Sequence, residues 1–203
     1  GSRGLGDVYK RQALALKILN VKLGSILKIA EEKYGIRDTS YSICGVSYTE
    51  EGFPHTWFPF LSSKVVGIRV MDICKNDINR GLYQLAHEII HCLCPHREIN
   101  ANVFEEGLAT HFAAEYMDEY EKQPDWHPAE TDYKYVLALK CIKKAFEIDP
   151  NIATKLVAKE RNFVNITENM ILEVSPKLPR DLAKILTTDF YDDSWIELAN
   201  KIE

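Results

Sequence analysis

Between Lys64 and Cys94 the apolar period changes once, and that change constrains the fold more than any other feature of the chain. Across Lys64–Met71, Val66, Ile68 and Val70 alternate with Val65, Gly67 and Arg69, the period-2 pattern of a strand. From Asn79 the period becomes helical, with Leu82, Leu85, Ala86, Ile89, Ile90 and Leu93 forming one continuous apolar stripe. A strand that feeds a strongly amphipathic helix needs a core on which both can pack, and the flanking sequence supplies it.

Upstream, Leu16, Leu19, Leu23, Ile26, Leu27 and Ala30 recur at helical spacing, so the segment after residue 12 is an amphipathic helix. Tyr41–Tyr48 reads as a second strand, closed by a turn at Thr49-Glu50-Glu51-Gly52. In the aromatic run 52–60, Pro54 and Pro59 block a regular ladder, leaving an edge or loop segment. His55 and Trp57 are read there as a loop packed on the sheet rather than as a cleft mouth. Beyond Asn79 helices are expected near 79–94, 101–120, 130–148, 151–162, 166–173, 178–187 and 193–202, punctuated by Pro128, Pro150, Pro176 and Pro179. The class is α+β: an N-terminal helix, a small sheet part at about 41–72, then a helical part at about 79–203.

Composition narrows the function. Lys and Arg number 25 against 30 Asp and Glu, a formal net charge of −5, and no nucleic-acid partner is expected from that balance. Five cysteines at irregular spacing do not make a disulfide framework, so the thiols are read as reduced and the location as cytoplasmic. Cys92 and Cys94 are taken as small residues in the last turn of a helix. No stretch reaches the ~20 apolar residues of a membrane span. Residues 1–12 are polar and glycine-rich with no apolar period, and are set apart as a tag or disordered segment. One domain, 13–203, remains.

The chemistry lies in His87-Glu88-Ile89-Ile90-His91. Residues four apart on a helix lie about 40° apart around its axis, so both imidazoles project from one face, opposite the apolar stripe. Two imidazoles so placed can hold one zinc ion, with Glu88 beside them to take a proton from water. A third ligand is needed. The spacing H-E-x-x-H-x-x-G-x-x-H would require Gly at 94 and His at 97; the chain has Cys94 and Arg97, with His96 one place off. Downstream, 102–116 reads as a second helix carrying Glu105-Glu106-Gly107. There Ala109 and Ala113 share a face with Glu106 and allow close approach to the first helix. Acidic residues in a first helical turn also suit the helix dipole without any metal. Glu106 is taken as the third ligand, completing a His₂Glu set with an open position for water.

HEIIH at 87–91 followed by FEEGLA at 104–109 resembles the gluzincin zinc metallopeptidases, over about 40 residues from 79 to 120. The resemblance implies a zincin-like fold and zinc-dependent hydrolysis of a peptide or protein substrate. It makes His87, His91 and Glu106 the zinc ligands and Glu88 the general base. It also implies that the strand Lys64–Met71 forms the cleft edge that pairs with an extended substrate. Thermolysin-like relatives carry an acidic residue four places after the glutamate ligand, orienting a ligand histidine; here that position is Thr110. Candidates for a transition-state donor are His111, Tyr116, Tyr120, His127 and Tyr133. Two other readings stand beside it: a zincin-fold binding or regulatory protein with weak or lost peptidase activity, and a helical interaction module built on 130–203.

Overall fold

The computed structural model describes residues 2–98, 100–124 and 132–202. In chain order the elements are α1 (Ser2–Tyr34), β1 (Ser42–Thr49), β2 (His55–Trp57), β3 (Val65–Met71), α2 (Ile78–His91), α3 (Val103–Glu119), α4 (Tyr133–Ile148), α5 (Ile152–Lys159), α6 (Glu168–Val174), α7 (Arg180–Thr187) and α8 (Ser194–Ala199). Short 3-10 turns occupy Asp72–Lys75 and Phe163–Asn165. The α+β class and its order, helix then sheet then helical half, are those expected. No helix among the described residues is long and apolar enough to cross a membrane.

The polar segment set apart at 1–12 falls, from Ser2 onward, within the first turns of α1, where Val8 and Tyr9 are exposed. Burial begins at Ala15 and continues through Leu19, Ile26, Ala30 and Tyr34. Asn20, a polar interruption of that stripe, bonds the backbone of β1: its Nδ2 donates to Val46 O at 3.1 Å and its Oδ1 accepts from Val46 N at 2.9 Å. This closes an irregularity in β1 where Gly45 takes a φ of 117°, a conformation open to glycine at little cost.

The sheet has the order β1-β3-β2, with β1 parallel and β2 antiparallel to β3. The strand expected to form a substrate-binding edge, β3, is therefore the central one. Both its sides are paired, and Val66, Ile68 and Val70 are fully buried. The free edge near α2 (Ile78–His91) belongs to β2, the short aromatic segment. Trp57 does pack on the sheet, its ring under the Arg69 guanidinium at 4.3 Å, while the residues before it face a cleft.

Helix α2 starts at an Asp77 cap, whose Oδ1 accepts from Arg80 N at 3.0 Å. Gln84 ties it to the strand before it, accepting from Met71 N at 2.9 Å. Every residue from Gly81 to Ile90 is buried, the polar face included. That face is covered by α3, which packs along α2. Behind α3 lies α4, and Gly107 makes the contact possible. A Cβ there would sit 2.8 Å from the Ala138 carbonyl oxygen and 2.6 Å from Ile142 Cγ1. Alanine would gain about 0.5–1 kcal/mol of helix preference but meet an overpacking cost of about 1–3 kcal/mol, so glycine is preferred here.

Candidate metal centre

The side chains of α2 converge first. His87, Glu88 and His91 each offer a potential ligand atom, and the three atoms lie within 4.8 Å of one another. The imidazole centroids are 5.2 Å apart. From α3, Glu106 turns toward both rings. Its Oε2 lies 3.2 Å from His87 Nε2, and its Oε1 lies 3.9 Å from His91 Nε2. The Nε2 atoms of both histidines and both oxygens of Glu106 thus face a common space beside Glu88. Two carboxylates compete for the third-ligand role. Glu106 spans both imidazoles from the facing helix, whereas Glu88 shares the histidines' own helix.

Residues 92–102 carry the chain from α2 to α3. Arg97 anchors this turn, its Nη2 donating to Phe60 O and Ser63 O at 2.8 Å each. Asn102 caps α3, accepting from Glu105 N at 2.9 Å and donating to Phe163 O at 2.7 Å. The cap leaves Glu105, the neighbour of the expected ligand, wholly buried. Its Oε1 accepts from His91 Nδ1 at 2.7 Å, and its Oε2 accepts from His96 Nε2 at 2.9 Å. The carboxylate contact to a histidine ring that the resemblance implies at position 110 is thus made by Glu105. The Thr110 hydroxyl instead donates within the helix to Glu106 O at 2.8 Å. The difference is one of helix phase. A carboxylate one residue before Glu106 lies a third of a turn round α3, facing the C-terminal end of α2, while position 110 lies beside Glu106 a turn further on.

None of the described donor candidates reaches this space. Tyr116 donates to Glu121, Tyr120 stacks on Tyr116, and Tyr133 donates to Asn200 at 2.5 Å. His111 meets Tyr34 Oη at 3.5 Å, on a different cleft. His127 lies outside the described residues. Two other tyrosines stand at the site. Tyr135 of α4 sets its ring edge-on to His87 at 5.9 Å, and Tyr191 joins it in lining the cleft. Tyr191 arrives because the chain after α7 docks on the start of α3: Val103 N donates to Thr188 O at 2.9 Å and Phe190 N to Ala101 O at 3.0 Å. Phe190 then packs on Tyr135 at 4.8 Å.

The cleft over the histidines has a volume of about 310 Å³, and Phe53, His55, Phe58, Arg97, Tyr135 and Tyr191 contribute to its walls. A larger cleft of about 920 Å³, along α3 and α4, shares no lining residue with it. Size favours the larger; chemistry favours the smaller, where imidazoles and carboxylates converge.

The electrostatics follow from burial. Desolvation pushes the Glu88 carboxyl up, opposed by His91 and His87. For His91, burial acts downward, but Glu106 and the bond to Glu105 outweigh it and push the imidazole up to about 10. Burial would raise Glu105, yet the bonds from His91 and His96 hold it down at about 2. His96 is raised by Glu105 against its own burial. Burial, then the charge of Glu106, raises Tyr135 and Tyr191, keeping both as protonated donors.

These shifts set a pH dependence for the metal-free protein. His91 titrates higher folded than unfolded, so its contribution is complete below about 6.5 and drains away as pH rises toward 10. Glu105 titrates lower folded, so its contribution is complete above about 4.5 and is lost as pH falls toward 2. Melting temperature measured after chelation is expected to peak between these limits and decline on both sides; a flat profile from pH 6.5 to 10 would contradict the His91–carboxylate contacts.

No protein-family model matches the chain, and neither a curated protein nor a solved structure matches it.

Proposed function

We propose that the protein is a zinc-dependent peptidase of gluzincin type, with a zincin-like arrangement of its sheet and ligand helices. The observation that carries this reading is the facing of His87 Nε2, His91 Nε2 and both Glu106 oxygens across one buried space, with Glu88 beside it. Two imidazoles and a carboxylate form the ligand chemistry of hydrolytic zinc sites, so the residues fit the ion. His87, His91 and Glu106 would hold it. When bound, zinc supplies Lewis acidity that polarises a carbonyl and acidifies water.

The chain's own groups do the rest. Glu88, a buried carboxyl that desolvation pushes up, takes the proton of the attacking water. It then delivers that proton to the amine nitrogen as the C–N bond breaks. Tyr135 and Tyr191, which line the same cleft, offer hydroxyl donors to the oxygen on which negative charge develops. The free edge of β2 runs into the same cleft through His55 and Thr56 and offers backbone groups to an extended chain.

The test joins two measurements. Elemental analysis of purified protein is expected to find about one zinc per chain. A mixed peptide library is expected to be cleaved, with cleavage stopped by a chelator and restored by zinc. Metal-free protein that neither binds zinc nor cleaves any peptide after zinc addition would refute the proposal.

A further inference from the structure

His96, excluded as a ligand by its spacing, is buried against Glu105 and has no part in the mechanism above. Its Nε2 donates to Glu105 at 2.9 Å to one oxygen and 3.1 Å to the other. Its Nδ1 lies 3.2 Å from Glu98. Glu105 is fully buried, and the carboxylate contacts its two oxygens make are with His96 and with His91 Nδ1. The chain His96–Glu105–His91 therefore runs from the turn between α2 and α3 to His91, and it ends on the nitrogen opposite the one that faces Glu106.

We propose that His96 is a positioning residue for the metal centre: by holding the Glu105 carboxylate in place, it fixes the ring plane and tautomer of His91. The proposal rests on the zinc reading above and adds a residue to it. The physical reason is directional. A carboxylate with one partner can rotate about its last torsion; a carboxylate held at both oxygens cannot. With the proton of His91 committed to Nδ1, its Nε2 lone pair is presented to the ion. Losing a partner bonded directly to a ligand histidine, as Glu105 is, commonly changes metal affinity by about 10–100-fold, and His96 acts through that partner.

The competing explanation is that His96 merely staples the 92–102 turn to α3. Three variants separate the two. In glutamine the amide nitrogen stands as many bonds from Cβ as His Nε2 does, so His96→Gln keeps a donor at the carboxylate. His96→Asn keeps the polarity but falls one bond short, and His96→Leu removes the donor. Zinc affinity is read by competition with a chromophoric chelator, and the visible spectrum is recorded with cobalt in place of zinc. Each variant's fold is checked by far-ultraviolet circular dichroism without metal.

The expected result is a zinc Kd weakened about 10–100-fold in His96→Asn and His96→Leu, with an altered cobalt spectrum, and wild-type behaviour in His96→Gln. If His96→Leu does not fold, the Asn and Gln pair carries the comparison. Equal zinc affinity in Asn, Gln and wild type would overturn the proposal while leaving the zinc reading intact. Failure of the wild type itself to bind zinc would overturn both.

Discussion

Replacing Glu88 with glutamine is expected to lower peptide turnover by about 10²- to 10⁴-fold while the protein keeps its zinc. Glutamine matches glutamate in shape and fits the same buried position on α2, so packing is preserved. What it loses is the ability to accept a proton from water and pass it to the leaving nitrogen. Because Glu88 also lies within ligand distance of both imidazoles, the variant decides between two roles for the same side chain. A base leaves the metal in place when neutralised; a ligand does not. Peptidase assays paired with elemental analysis read both, and full turnover in Glu88→Gln would dismiss the assigned mechanism.

Glu106→Ala is expected to have the opposite signature: the metal itself is lost. Removing one of three protein ligands should weaken zinc by more than the about 10–100-fold seen when an outer partner is removed. It also strips His87 Nε2 of its 3.2 Å partner. Dialysis against buffer of defined free zinc, followed by elemental analysis, measures the loss directly. Normal zinc content in Glu106→Ala would mean that Glu88 closes the ligand set and that the role of α3 at the site is structural.

The residues that could be read in the sequence are those whose placement depends on one helix or strand. The alternation of Val66, Ile68 and Val70 marks β3, and the four-residue step between His87 and His91 places both rings on one side of α2. Glu106 was within reach because a single further helix had to be added. What periodicity does not carry is the identity of the neighbour on each side. It marked the face of α2 bearing the histidines as the polar one, but not that α3 would cover it. Nor could it say that β3 would lie between two partners rather than at an edge.

The outer parts of the site were hidden for a related reason. Glu105 and His96 meet only because the turn at 92–102 folds back under the Arg97 anchor and the Asn102 cap. Tyr191 reaches the cleft through backbone bonds linking 188 and 190 to 103 and 101, a pairing across more than eighty residues with no local pattern to announce it. Tyr135 sits in the first turn of α4, two residues after Tyr133, and that difference in helical phase decides whether the ring meets His87 or Asn200.

The helix carrying both imidazoles is enclosed by apolar side chains that belong to the same continuous core as α1, β3 and α4. Its donor atoms are therefore held by the same packing that keeps the chain folded. In small zinc modules the ion organises the polypeptide, and its removal unravels them. On the proposed zinc reading the dependence would run the other way: the packing of the shared core, not the cation, would set where the donor atoms stand.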